Sequence, residues 1–246
     1  MPTIDAHSHL GPCRVFDLNT EEQELLTQMN NNGIDTNLVQ PYPGADPTSK
    51  VHDMISAMAK RNPGRFYGIA SINPHQDKAA YFSELSRCVK QLGFVGVKMH
   101  TIGHAVNPGG VDGTTIFESA SHLDIPVMIH TGPGIPFAAP SAVSGQLKKF
   151  PKVRVVLAHA GYAIFTGEAI AVADRFPQVT LEFSGCGFPQ VNGMIKTLGA
   201  NRVMFGSDLP PNVPVAKALV KTLGLKKEDE AMVMGGTALE VFRIKG

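Results

Sequence analysis

The chain has 246 residues, 43% of them hydrophobic and 17% charged, with a formal net charge of +1. That length can bury a large core and is typical of one α/β barrel, while the near-zero charge gives no electrostatic reason to expect nucleic acid or an anionic membrane as partner. No apolar run approaches the ~18 residues of a transmembrane helix. A strand pattern begins at once, without a basic and then apolar leader, so no signal peptide is expected. Cys13, Cys88 and Cys186 are odd in number, far apart and without Cys-x-x-Cys spacing, which favours reduced thiols in a cytoplasmic protein.

Residues 3–10 read as the first strand. Alternate side chains on a strand share a face, so Asp5, His7 and His9 are expected to point one way, and two imidazoles at i and i+2 can converge on one metal ion. After the loop Gly11-Pro12-Cys13-Arg14, the stretch Thr20-Glu21-Glu22-Gln23 resembles a capping box opening a helix that Gly33 ends. Residues 34–39 form a second strand, stopped by Pro41, Pro43 and Pro47. Val51, Met54, Ile55 and Met58 fall at helical spacing, and residues 65–71 give a third strand. Tyr81, Leu85, Cys88, Val89 and Leu92 make the next helix face, closed by Gly93.

Residues 94–100 are the fourth strand, followed by a Gly-rich loop through Gly113 and a helix over 115–123. The fifth strand, 125–130, leads through a second Pro/Gly-rich loop to a helix ending near Phe150. Strands six, seven and eight occupy 153–159, 179–183 and 202–208, with helices over 168–176 and 191–198 and helical segments from Val215 and Lys227. Eight strand–helix units of roughly 30 residues each are the arithmetic of a (β/α)8 barrel. A doubly wound open sheet lacks support, because no Gly-x-Gly-x-x-Gly follows the first strand. The expectation is one small TIM-barrel domain over residues 1–246, without an added β-domain.

Chemistry in such barrels sits where strands end. His7 and His9 end the first strand, Lys98 lies near the end of the fourth, His130 ends the fifth, His159 the sixth and Asp208 the eighth. Each interrupts an apolar run, and an unpaired polar group buried there is costly. Taken singly, His130 or His159 reads as a hydrogen-bonded core histidine, Asp208 as a turn residue and Lys98 as a snorkelling cation. Taken together, one shared metal accounts for them all.

Asp5-Ala6-His7-Ser8-His9, the run Gly96-Val97-Lys98-Met99-His100, Pro126 to Gly132 around His130, Leu157-Ala158-His159-Ala160-Gly161 and Phe205-Gly206-Ser207-Asp208-Leu209-Pro210 resemble the amidohydrolase superfamily, in its amidohydrolase-related branch. The resemblance covers nearly the whole chain, one motif per expected strand. It implies a barrel with one or two divalent metals at its mouth, with His7, His9, His130 and Asp208 as ligands and His159 against the reactive water or substrate. Three histidines and a carboxylate suit Zn2+, and Mn2+, Co2+ or Fe2+ accept the same donors. In two-metal members a lysine on the fourth strand is carboxylated and bridges the ions. The single-metal form is favoured here, leaving Lys98 as a cation for a substrate carboxylate or carbonyl. Where members often carry Asn in the C-terminal helix, this chain has Gly235-Gly236-Thr237-Ala238, a departure that touches barrel closure alone.

The first functional expectation is therefore a hydrolase that attacks an amide, lactone or ester carbonyl of a small molecule with metal-activated water, Asp208 taking the water's proton. His159 orients that water, stabilises the oxyanion or protonates the leaving group. The alternative is a decarboxylase or hydratase of a small carboxylic acid on the same site, and a non-catalytic barrel is the remaining one. Asp5 is a candidate partner for a histidine ring. His75, His100 and His104 are placed to touch substrate, His52 and His122 to pack or face solvent, and Arg14 to grip an anionic substrate. Cys186 reaches the rim without being expected as nucleophile. The walls are assigned to the loops over 101–113 and 131–140, and a homodimer is the family-based expectation.

Overall fold

The computed structural model describes residues 1–13, 17–45 and 47–244. Among them nine strands alternate with ten α-helices: β1 (Ile4–Cys13), β2 (Leu18–Thr20), α1 (Glu22–Asn32), β3 (Thr36–Pro41), α2 (Thr48–Arg61), β4 (Phe66–Ser71), α3 (Lys78–Lys90), β5 (Gly96–Met99), α4 (Val111–Leu123), β6 (Val127–His130), α5 (Ser144–Lys149), β7 (Val155–Ala158), α6 (Tyr162–Arg175), β8 (Val179–Glu182), α7 (Phe188–Leu198), β9 (Val203–Met204), α8 (Val213–Thr222), α9 (Lys227–Ala231) and α10 (Thr237–Phe242). They form one curled sheet in the order β2-β1-β3-β4-β5-β6-β7-β8-β9. Neighbours are parallel throughout, save the short antiparallel β1–β2 pair. None of these helices is long and apolar enough to cross a membrane.

Two layers of core follow from the strand period of two. Val97, Met99, Val127, Ile129, Val155, Leu157, Val179 and Leu181 face the helices in the larger cluster. Ile4, Ala6, Leu38, Ile69, Met128, Val156, Ala158 and Met204 fill the inner face of the curl, floored by Ala238 and Phe242. Lys98, His130 and Glu182 have the inner parity, so the strand that buries Met128 also delivers His130 to the same side.

The expected closed eight-stranded barrel is met only in part. No strand ladder joins β9 to β1. β9 is two residues long, and the Phe205 amide turns away to donate to the Val233 carbonyl at 2.9 Å. Two backbone bonds cross the seam: the Ala6 amide donates to the Phe205 carbonyl at 3.1 Å, and the Asp208 amide to the His7 carbonyl at 2.8 Å. The ninth strand, β2, was not foreseen. The capping box is also absent. Glu21 precedes α1 without a side-chain cap, because the Thr20 hydroxyl is engaged with Tyr42 Oη at 2.9 Å. Gly33 does end that helix, at φ 59. At Gly235 the N-terminal chain passes so close that an added Cβ would overlap the Pro2 carbonyl, which explains the small residue in the turn before α10.

One polar network locks α2 and α3 to β4. The Ser71 amide donates to His52 Nε2 at 3.1 Å, which leaves the proton on Nδ1 to reach Glu84 Oε1 at 2.8 Å. Cys88 lies beside them. That fixed tautomer makes His52, Glu84 and Cys88 a structural knot, since the ring nitrogen facing the other two carries hydrogen and offers no lone pair. Burial works to raise the Glu84 carboxyl, but hydrogen bonds from His52 and Arg87 outweigh it and hold the group at about 2, below the usual 4.5. Stability gained this way is present above pH 4.5 and is lost as pH falls toward 2. Glu84→Gln is therefore expected to lower the melting temperature at pH 6 and to narrow that gap by pH 3, measured by thermal denaturation at both values.

Candidate active site

The first strand aims its histidines through an irregularity. Between Asp5 and Ser8, β1 advances three residues while β3 advances two, from Asn37 to Val39. This bulge reverses the alternation. Ile4 and Ala6 face inward below it, His7 and His9 face inward above it, and Asp5 is left on the other side. The expected shared face of Asp5 with the histidines is thus corrected. The Asp5 carboxylate accepts from the Ser207 amide at 3.0 Å, the Ser207 hydroxyl at 2.6 Å and the His7 amide at 3.2 Å, and touches no imidazole. It pins the segment carrying Asp208 to β1, and burial pushes its carboxyl up to about 7 against these hydrogen bonds.

Above the bulge, donor atoms converge. Asp208 Oδ1 lies 3.2 Å from His9 Nε2 and 3.4 Å from His7 Nε2, and these three residues can present one ligand atom each to a common ion. The His130 ring stands beside His159, with centroids 4.6 Å apart, and its buried Nε2 has no hydrogen-bond partner. A buried nitrogen without a partner is costly, so this atom is suited to a further donation toward an ion. The set of imidazole nitrogens and one carboxylate oxygen fits a divalent metal. Lys98 Nζ reaches His7 Nε2 at 3.0 Å from beneath, and burial lowers its ammonium to about 8.

Glu182 at the end of β8 organises the histidines, and the sequence reading passed over it. His7 Nδ1 meets Glu182 Oε2 at 2.8 Å, and the Ser184 hydroxyl donates to the same oxygen at 2.9 Å. The Ser184 and His159 amides donate to the carboxylate at 2.5 and 3.2 Å. With its proton committed to Glu182, Ser184 Oγ accepts from His159 Nδ1 at 2.8 Å. Both rings therefore carry hydrogen on Nδ1 and keep the lone pair on Nε2, which at His7 faces the Lys98 ammonium. Burial raises the Glu182 carboxyl, but four donors are what an ionised carboxylate accepts. An added Cβ at Gly206 would overlap this side chain, so the glycine beside Asp208 makes its room. The missed signal was the one that found His130: a charged residue inside Leu181-Glu182-Phe183.

Burial also depresses the imidazoles, His130 to about 2 and His159 to about 4, and His7 and His100 well below 6.5. Burial alone would raise Asp208, but the surrounding His7, His9 and His159 hold it well below the usual carboxylate range. The rings open on a cavity of about 310 Å³. Its walls are Leu18, Tyr42, Pro43, Ile102, Tyr162 and Leu209. The loop over 101–113 contributes as expected. The loop over 131–140 does not line it, and the β1–β2 hairpin and the segment after β3 take that place.

Of the remaining candidates, His100 lines the cavity and stacks on His130 at 4.7 Å. His75 and His104 do not line it. His75 pairs with Asp112 at 2.7 Å and with the His104 carbonyl at 2.6 Å. His122 packs edge-on against Phe82. The Cys186 thiol donates to the His159 carbonyl, and burial pushes it up to about 12, unsuited to nucleophilic attack. Arg14 lies outside the described residues.

Comparison with known proteins corrects the chemistry expected first. A gamma-resorcylate decarboxylase of Polaromonas sp. strain JS666 is 23% identical over 247 residues, covering 79% of this chain and 76% of its own. The 5-carboxyvanillate decarboxylase of Sphingomonas paucimobilis shares the fold with TM-score 0.79 at 19% identity, covering 99% of both chains. A dihydroxybenzoic acid decarboxylase of Polaromonas sp. JS666, solved with manganese and the inhibitor 2-nitroresorcinol, gives TM-score 0.79 at 19% identity, covering 98% of this chain and 97% of its own. Relatives that remove carboxyl groups overturn the reading of an amide, lactone or ester hydrolase, which the ligand set alone did not separate from a lyase. The family model described as amidohydrolase matches residues 4–244, and the chain belongs to that family.

Proposed function

We propose that the chain is a metal-dependent decarboxylase of a small aromatic carboxylic acid, holding one divalent cation on His7, His9, His130 and Asp208. The observation that carries this reading is the convergence of the His7, His9 and Asp208 donor atoms beside a buried, partnerless His130 Nε2, in a chain similar to several decarboxylases. Manganese, present in the Polaromonas relative, replaces zinc as the first candidate, and the same donors accept either. When bound, the cation supplies a positive charge that polarises substrate oxygens.

The chain's own residues supply the rest. Decarboxylation breaks the bond between ring carbon and carboxylate; the electron pair stays on the ring carbon, which takes one proton as CO2 leaves. Lys98 stands behind the cavity lining with its Nζ 3.0 Å from His7 Nε2, so it is assigned as a buried positive charge behind the ligands and not as a direct contact of the substrate carboxylate. Kept as an ammonium, it goes with one metal. His159 is assigned to the proton. Its Nδ1–H is fixed by Ser184, so Nε2 is the atom that takes a proton up and hands it on. Because burial holds this imidazole at about 4, it rests neutral and its Nε2 relays a proton taken from solvent, the short-lived cation releasing it readily to the ring carbon. Leu18, Pro43, Ile102 and Leu209 offer an apolar wall for the substrate ring.

Manganese-loaded protein is expected to convert 2,6-dihydroxybenzoate or 5-carboxyvanillate with one CO2 released per product and no solvent oxygen incorporated; absence of CO2 from both acids would overturn the reading. His130→Ala is expected to lose bound metal and activity together, and metal content unchanged by elemental analysis would remove His130 from the ligand set. His159→Asn should keep its metal while turnover falls by about 10²-fold or more. Glu182→Gln, which sets an amide against the His7 ring, should weaken metal binding by roughly 10–100-fold, read by competition with a chelator.

A further inference from the structure

The residues after β7 run through four consecutive positive φ values: His159 at 64, Ala160 at 43, Gly161 at 75 and Tyr162 at 52. With ψ −157, Tyr162 occupies a backbone region that only glycine enters freely. A bulky residue stays there only if its surroundings dictate it, and three contacts do so. The Tyr162 ring lies parallel to the His159 imidazole, with centroids 4.5 Å apart and planes 10° apart. Opposite edges of the ring rest against Gly132 and Gly185, where an added Cβ at either would overlap it. The Thr166 hydroxyl holds the Tyr162 carbonyl.

We propose that Tyr162 is a positioning residue whose ring fixes the plane of His159. The hydrogen bond from Nδ1 to Ser184 holds one edge of the imidazole, and the face covered by Tyr162 is the side on which the ring could still tilt. A flat partner clasped between two glycines removes that freedom and keeps Nε2 aimed into the cavity. His9 has a comparable stack on Tyr42, at 4.4 Å and 11°, but there the tyrosine is anchored by its hydroxyl on Thr20. At Tyr162 the anchor is backbone conformation and glycine contact, so the ring and not the hydroxyl is the working part.

The kinetic arm of the test rests on the decarboxylase reading; the spectroscopic arm does not. In the full chain loaded with diamagnetic Zn2+ and labelled with ¹⁵N-histidine, the His159 ring signals are identified by their loss in His159→Asn. They are expected to be single and narrow in the parent and in Tyr162→Phe, as for an imidazole held in one orientation. In Tyr162→Gly, which suits this backbone conformation, Ser184 still keeps hydrogen on Nδ1, but the ring signals should broaden as the imidazole moves among orientations. Tyr162→Phe, which keeps the packed ring, guards against a variant that fails to fold. With 2,6-dihydroxybenzoate, Tyr162→Gly should lose at least tenfold in kcat with KM changed less than about threefold, and Tyr162→Phe should restore kcat. His159 ring signals as narrow in Tyr162→Gly as in the parent overturn the proposal, as do broadened signals with kcat intact. If the parent releases no CO2, the decarboxylase reading fails alone, and the His159 line widths in Tyr162→Gly still decide the role of the tyrosine.

Discussion

The Glu182 carboxylate is the interaction on which the rest of the site depends. It is fully buried at the end of β8, and it draws together His7 from β1, His159 from the end of β7 and Ser184 from its own strand exit. A buried charge is tolerated only where hydrogen bonds replace its water. Each donor that satisfies Glu182 is at the same time committed in direction, and this is what fixes the two imidazole tautomers. The same bonds that solvate the carboxylate thus leave both Nε2 atoms as acceptors, that of His7 within reach of Lys98 Nζ.

Two further constraints bring Asp208 to these rings. The bulge in β1 turns His7 and His9 inward, and the Asp5 carboxylate then holds Ser207 across the seam where the strand ladder stops. The Asp208 amide donates to the His7 carbonyl, tying acid and imidazole to one point of backbone. Asp208 itself has φ 68, a conformation uncommon for any residue but glycine, asparagine or aspartate. The seam that fails to form a regular ladder is therefore the place where the acid is set against the histidines. The irregular backbone there has work to do.

Much of this was legible in the sequence, and the failures have physical causes. Strand and helix order followed from apolar periodicity, and His7, His9, His130, His159 and Asp208 were recognisable because each interrupts or follows an apolar run, although β1 continues past His9 to Cys13 and β9 stops at Met204, short of Asp208. Glu182 obeyed the same rule, but a carboxylate in a strand drew less notice than an imidazole. The bulge was invisible, since it depends on how β1 registers against β3, a pairing between segments some thirty residues apart. Simple alternation therefore put Asp5 on the wrong face. The false capping box at Thr20 failed for a similar reason: a hydroxyl with the right local spacing was taken by a tertiary partner, Tyr42. The choice between hydrolase and lyase was out of reach, because both use the same donors and differ in which substrate bond is presented to them.

The charges of the site bear on that last choice. Asp208 and Glu182 bring two negative charges, Lys98 brings one positive, and burial keeps His7, His130 and His159 neutral at physiological pH. Without a cation the pocket therefore carries an excess negative charge, and an anionic acid entering an apolar cavity would be repelled. A divalent ion on the proposed ligands reverses the sign and leaves one net positive charge for a monoanionic carboxylate to neutralise. After CO2 departs, the neutral ring no longer offsets that charge, so the site holds the acid more tightly than the product. A neutral amide or ester would gain nothing from this balance. The electrostatics thus favour a substrate that enters as an anion and leaves without its charge.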